Sequence, residues 1–486
     1  MPTMNTGILE NMSEEVPAYG AVGKISARIG GNSSNLTVAI MIANTCTISA
    51  VALPAVMASM GWAAGTMVTI LCAAMNCHTC MLVWRMFMCF PEQTNYGELI
   101  EKAFELAPPM QRSGAKALCD FSTYGFIFVG TSYNLVCLAQ ALGWMFNDWR
   151  LCLPMLMLGG TLANIFLQCG IRSLGSSPVL LFANMAAVLV MVLVPLALFA
   201  NMGSSASRAP GSRFVAVEAG QFATQFQGYG ALVYMLTTQY ITPELLSEMQ
   251  DPSEYPKVAC QKVLPLQVAF ALLAGLGGYY YLGSEGTEIV PDYLPFGGPL
   301  QLTAMCFMFG GIVNNLVNGV VICGKMQQWW NLPPDDSESD DTASRRGTIT
   351  WIGTVSTMFL LAWLIANVVP SIKDFTSLLG ASFAPLCCFL VPILAYARLY
   401  HDFGEDRLPR ISAMEWMAIA FWLLLSLLLM TYGTYQAMRS IQASWATRGY
   451  PFDCNCHMLW NTCDCSASRP GMEQCSSGIH GALPKA

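Results

Sequence analysis

Asn44-Thr45-Cys46-Thr47-Ile48-Ser49-Ala50-Val51-Ala52-Leu53-Pro54 lies in the middle of an apolar run from Leu36 to Trp62. Its polar cluster and its proline interrupt a stretch otherwise long enough for one continuous helix. The run Gln221–Met249 repeats the pattern. Leu236-Thr237-Thr238-Gln239-Tyr240-Ile241-Thr242-Pro243-Glu244 again puts a polar cluster at the centre and a proline several residues later. Inside a bilayer such a break exposes backbone N–H and C=O groups with no solvent to bond them. It is tolerated only where it is buried in protein or lines a cavity.

The rest of the chain fits a bilayer. Of 486 residues, 54% are hydrophobic and only 11% charged, against about 25% charged in an ordinary soluble domain. The mean hydropathy is +0.48. A membrane span needs roughly 20 mostly apolar residues. Eleven such runs are found, at about 36–61, 65–84, 118–142, 151–169, 178–200, 221–245, 263–283, 299–323, 350–370, 376–397 and 412–436. These predict an all-α polytopic membrane protein, and the runs are numbered span 1 to span 11 below. The first 35 residues are polar and hold no apolar signal-peptide core, so span 1 is expected to act as the targeting signal. The net charge of −7 sits mostly in loops and tails and forms no basic patch for nucleic acid. No His/Asp/Glu cluster or nucleophile motif lies within or beside the spans, which argues against an enzyme.

Lysine and arginine set the orientation. With the N-terminus in the cytoplasm, inner segments hold fifteen of these residues, including Lys24, Arg28, Arg85, Lys102, Arg112, Lys116, Lys325, Arg398, Arg407 and Arg410. The outer loops hold four: Arg150, Arg208, Arg213 and Lys373. Eleven spans then put the C-terminal tail outside. Three glycosylation sequons, at Asn11, Asn32 and Asn35, fall in the predicted cytoplasmic N-terminus. The charge bias outweighs them, because sequons are common by chance. The expected organisation is a cytoplasmic tail (1–35), a transporter domain (36–436) and an extracytoplasmic tail (437–486). Two interrupted helices in corresponding positions of two halves point to a secondary transporter and to its binding site.

The residues at these positions resemble the amino acid/auxin permease family, within the amino acid–polyamine–organocation superfamily. That family's first helix reads N-x-x-G-x-G-[IV]-L-x-L-P followed by G-W. Asn44, Leu53, Pro54 and Gly61-Trp62 match, while Thr47 and Ser49 stand where the family has glycines. Tyr96-Gly97-Glu98-Leu99-Ile100-Glu101-Lys102-Ala103-Phe104 is similar to the family's loop after span 2. The stretch Glu244-Leu245-Leu246-Ser247-Glu248-Met249-Gln250-Asp251-Pro252-Ser253-Glu254-Tyr255-Pro256-Lys257-Val258 is similar to the end of its sixth helix, with Thr238-Gln239 in place of Gly-His. The resemblance covers residues 30–440. It implies a five-plus-five inverted repeat, about 36–200 and 221–397, with span 11 (412–436) appended and spans 1 and 6 broken at mid-membrane.

In that fold the N-terminus of the outer half of span 1 faces the midplane, where its N–H groups and positive dipole end suit a carboxylate. The C-terminal ends of the inner half of span 1 and the outer half of span 6 offer carbonyls to an ammonium group or a metal cation. A zwitterionic α-amino acid supplies both charges. The expected contacts are Asn44, Thr47, Ile48, Ser49, Ala50, Leu236, Thr237, Thr238 and Gln239 at the breaks, Tyr133 in span 3 and Asn314 in span 8. Intramembrane charge is nearly absent, as its cost of ~3 kcal/mol per residue at a helix centre requires. Proton coupling needs a titratable group, and Glu244 is the leading candidate ahead of Asp120 and His78. No cofactor is expected, and H+ is favoured over Na+ as the coupling ion. The expected function is therefore secondary active transport of amino acids in the plasma membrane or a vacuole- or lysosome-like membrane. An amino-acid sensor with little flux, or a sodium-coupled carrier, is the alternative.

Fourteen of the 19 cysteines precede residue 400 and read as small hydrophobes, those of Cys77-His78-Thr79-Cys80 included. The tail holds Cys454, Cys456, Cys463, Cys465 and Cys475. Outside the cytosol the first four are disulfide candidates closing a small cap, with zinc binding near His457 as the alternative. Pro333–Thr348, with its run from Asp335 to Asp341, is too charged to pack and reads as a cytoplasmic loop.

Overall fold

The structure is a computed structural model that describes residues 31–45, 48–146, 151–171, 178–203, 212–219, 222–286, 289–295, 297–330, 341–369, 371–448, 450–452 and 454. Among these residues there is no β-strand, only an isolated bridge between Asn32 and Met249. Nine described helices are long and apolar enough to cross a membrane, and the interrupted span 1 makes a tenth. The interrupted pair Phe222–Leu236 and Thr242–Glu248 takes the place of span 6. Thr47, the N-terminal tail to residue 30, the loop 331–340 and Cys456, Cys463, Cys465 and Cys475 lie outside the described residues.

Several helices outrun a bilayer core of roughly 30 Å. Span 2 (Trp62–Cys89) and span 3 (Pro109–Met145) have 28 and 37 residues, about 42 and 55 Å at 1.5 Å per residue. That excess length leaves room for Arg85, Arg112 and Lys116, near their ends, to lie outside an apolar core. Spans 7 and 10 each carry a π-helical segment, Lys257–Val263 and Leu386–Leu390, just before Pro265 and Pro392. Proline lacks an N–H and its ring crowds the carbonyl four residues back. A widened turn relieves that crowding and lets the carbonyl find another donor inside the membrane.

The ends with most lysines and arginines gather on one side, called the inner end here. Arg85 pairs with Glu415 across spans 2 and 11. Glu101, on the loop helix Tyr96–Ala103, bonds Lys116 at 2.6 Å and pairs with Arg112 at 3.2 Å. The Lys116 ammonium beside it holds the Glu101 carboxyl below the usual carboxylate range. Residues 31–35 lie on the same side. Asn32 donates its backbone N–H to Glu248 O at 2.6 Å and its amide Nδ2–H to Glu248 Oε2 at 3.1 Å. Lys262 donates to Asn35 Oδ1 at 3.1 Å. Two of the sequon asparagines are thus engaged at the inner end.

At the opposite end a disulfide joins Cys152 to Cys454. Cys152 precedes span 4 and Cys454 follows span 11, so the end of span 3 and the tail lie on one side, as eleven spans require. The reading of Cys152 as a small hydrophobe is thereby corrected. It sits at a helix boundary (Leu153–Gly170 begins beside it) and not inside an apolar face. Span 11 itself continues to Arg448, and Trp445 donates its indole N–H to Val368 O at 2.9 Å.

Spans 6 and 10 meet backbone to backbone. A Cβ on Gly380 would overlap the carbonyl oxygen of Gly230, and one on Gly230 would lie 3.1 Å from Ser377 O. Small residues let membrane helices pack backbone to backbone where no hydrophobic drive exists between them. Gly380→Ala is expected to lower stability by about 2–3 kcal/mol through overpacking. Gly353→Ala, where a Cβ meets nothing within 4 Å, serves as control and leaves the melting temperature of the detergent-solubilised protein unchanged.

Candidate substrate-binding site

Both breaks are built alike. Span 1 runs as a helix from Ser34 to Thr45, passes through residues 46–47, forms a 3-10 turn at Ile48–Ala52 and resumes at Leu53–Met60. Span 6 ends its outer helix at Leu236, leaves helical geometry at Thr237–Thr238, forms a 3-10 turn at Gln239–Ile241 and resumes at Thr242–Glu248. Each resumed half-helix has proline at its second residue, Pro54 or Pro243. There the missing N–H has no intrahelical partner to lose.

The polar residues of the span 6 break bond outward to span 2. Gln239 is fully buried. Its Nε2 donates to Asn76 O at 3.2 Å, to Asn76 Oδ1 at 3.0 Å and to Thr79 Oγ1 at 2.6 Å. Its Oε1 accepts the Thr238 N–H at 3.0 Å. Thr242 Oγ1 donates to Thr238 O at 3.1 Å, and Thr238 Oγ1 lies 3.4 Å from Cys80 Sγ. One amide side chain and one hydroxyl thus take up the Thr238 N–H and carbonyl, which the break would otherwise strand.

A cavity of about 210 Å³ lies where spans 1, 3, 5, 6 and 8 meet. At about 30 Å³ per water, it has room for one small molecule. Ile48, Tyr133, Thr237 and Asn314 line it, as does Ala43, while the side chain of Asn44 lies outside the described residues. Ser49 and Leu236 are buried and do not line it, and Ala50 borders a separate small void with Val51 and Met191. Thr238 and Gln239 face span 2 instead. The wall includes an aromatic cluster. Tyr133 packs edge-on against Tyr234 and Phe375, with centroids 5.6 and 6.0 Å apart, and Phe126 packs edge-on against Tyr234 and Tyr240.

Sequence reasoning missed Tyr234, Tyr240 and Asn184 in this lining. Asn184 carried a signal: it is a lone amide inside Leu180-Leu181-Phe182-Ala183-Asn184-Met185-Ala186, where an unpaired polar group is expensive. Gly310 explains how it reaches the site. A Cβ there would lie 2.7 Å from Ile48 Cγ2 and 3.3 Å from Asn184 Oδ1, so glycine lets span 8 close on the span 1 break.

Of the proton-coupling candidates, Glu244 lies one turn beyond Tyr240, outside the cavity. Its Oε1 accepts the Tyr96 N–H at 3.2 Å, at the start of the loop helix. Its Oε2 is buried with no hydrogen-bond partner. Asp120 faces Lys325 at 3.9 Å. His78 Nδ1 accepts from the Trp422 indole at 3.2 Å, and His78 Nε2 lies 3.5 Å from Glu415.

An all-helical bundle of this length, with two helices interrupted around one internal cavity, defines a multi-pass membrane transporter. The model of the family described as transmembrane amino acid transporter protein matches residues 31–439, and the chain belongs to that family. Membership implies a role in amino acid transport. No curated protein sequence matches the chain. Among solved structures it is similar to MhsT in complex with L-phenylalanine, with a TM-score of 0.52 and 13% identity over 83% of this chain and 97% of that one. The likeness establishes the fold, a five-plus-five inverted repeat with spans 1 and 6 broken.

Gln239→Leu removes the staple between span 6 and span 2 and leaves Asn76 and Thr79 short of a donor. It is expected to cost about 1–3 kcal/mol, read as a lower melting temperature. Gln239 is not in the cavity lining, so any loss of ligand affinity should be smaller than that of Thr237→Val, which alters a lining residue.

Proposed function

We propose that the protein carries α-amino acids across its membrane by alternating access around the two breaks, with a proton as the coupling ion. The observation that carries this reading is the cavity itself, lined from both interrupted helices and from spans 3, 5 and 8. The N–H groups at the start of the Ile48–Ala52 turn are the site for the substrate carboxylate. The carbonyl end of the outer half of span 6, at Leu236, is the site for its ammonium group.

The cavity favours an inward-facing state. Its lining includes Ile40, Phe126, Ile127, Val317 and Asn318 on the inner side of the breaks. On the outer side the rings of Tyr133 and Phe375 touch, as do those of Trp144 and Phe307 at 5.5 Å. Opening outward requires parting such contacts while the inner halves of spans 1 and 6 swing closed. The bonds that tie Asn32 with Glu248 and Gln250 make these two inner halves move together. The N-terminal tail is cytoplasmic in this reading and the cysteine-bearing tail extracytoplasmic.

Glu244 is the proposed proton carrier. It holds the loop helix through Tyr96 and has one buried oxygen free, so protonation changes the tie between the inner half of span 6 and that helix. In proteoliposomes with an imposed proton gradient, Glu244→Gln is expected to reduce gradient-driven uptake of a labelled amino acid at least tenfold while exchange at equal pH persists. Unchanged gradient-driven uptake removes Glu244 from the mechanism. Drive by a sodium gradient alone removes the proton.

A further inference from the structure

Among the described residues, the lining of the cavity contains no aspartate, glutamate, lysine, arginine or histidine. Its polar side chains include four amides, those of Asn134, Asn184, Asn314 and Asn318, and the hydroxyl of Tyr133. Two of these groups are buried and short of a strong partner. Asn184 is 2% exposed, and its Oδ1 has no hydrogen-bond partner. Tyr133 is 1% exposed, and the side chain its hydroxyl meets is the Cys137 thiol, a weak acceptor. Buried polar groups are nearly always paired, and one that borders a cavity without a strong partner calls for a water or a ligand inside it. Gly310 keeps the Asn184 corner open, since a Cβ there would press on both the amide and Ile48.

We propose that Asn184 and Tyr133 read the substrate's side chain, so that the site selects uncharged amino acids bearing an amide or a hydroxyl. The inference rests on the cavity being the amino-acid site. Three side chains of similar length show the logic. The amide of glutamine donates to the Asn184 oxygen and accepts from the Tyr133 hydroxyl. Methionine fills the same space and leaves both groups without a strong partner, a loss that sites built for hydrogen bonding punish heavily. Glutamate brings a net charge into a membrane-embedded lining with no counter-charge. A flipped Asn184 amide does not alter the argument, because it still offers one acceptor and two donors.

The test uses the purified full-length protein and binding of labelled glutamine, displaced by unlabelled glutamine, methionine, glutamate and lysine. Methionine is expected to bind at least about tenfold more weakly than glutamine, and glutamate and lysine not to compete. Asn184→Leu keeps the shape and removes the amide. It is expected to shrink the glutamine-over-methionine ratio at least fivefold while methionine still binds, which shows that the variant is folded. Tyr133→Phe should shrink the ratio in the same direction. Equal displacement by methionine or glutamate, or an unchanged ratio in both variants, overturns the proposal. So does stabilisation of the wild type by sodium alone that Asn184→Leu abolishes, which makes Asn184 a cation ligand. Binding of no amino acid at all overturns the underlying assignment of the cavity along with its specificity.

Discussion

Two helices stop and restart inside a membrane, and the backbone groups they expose must be bonded without water. That constraint shapes the rest of the structure. At the span 6 break the Gln239 amide faces away from the cavity and bonds span 2 and the Thr238 N–H. Thr242 takes the Thr238 carbonyl. The polar cluster that looks in sequence like a binding motif is thus partly a structural staple. What it leaves to the cavity is Thr237, with Tyr234 and Met235 before it and Tyr240 and Ile241 after it.

Close packing supplies the second half of the design. Gly230 against Gly380 brings the outer half of span 6 onto span 10, and Gly310 brings span 8 onto the span 1 break. These contacts hold the helices on both sides of the cavity at distances that a single added methyl group disturbs. The inner halves of spans 1 and 6 are instead held by hydrogen bonds from Asn32 to Glu248, from the Gln250 N–H to Asn32 O and from the Tyr96 N–H to Glu244. In the proposed cycle the Asn32 ties keep the two inner halves moving together, and the tie between Glu244 and Tyr96 is the one that protonation changes.

Much of the architecture was legible in the chain. Span number and order followed from apolar run length, and the two breaks from a polar cluster followed by Pro54 or Pro243. The site was legible in part. Ile48, Tyr133, Thr237 and Asn314 line the cavity, whereas Thr238 and Gln239 turn to span 2, and Ala50 to a different void. A break tells which residues lie at mid-membrane. Which way each faces depends on neighbours that sequence spacing does not specify, here Asn76, Thr79 and Cys80. Asn184 was overlooked because it stands alone in an apolar helix, where spacing gives no motif. The partner of Cys454 was equally hidden, since Cys152 is 302 residues away and only the parity of the spans brings the two together.

The most direct test of the central claim is an experimentally determined structure of the full-length protein with a bound amino acid. The account predicts one molecule in the cavity between spans 1, 3, 5, 6 and 8. Its carboxylate should meet the N–H groups at the start of the Ile48–Ala52 turn, and its ammonium group the carbonyl end of the Phe222–Leu236 helix. A ligand bound elsewhere, or one whose carboxylate and ammonium contact neither break, would contradict it.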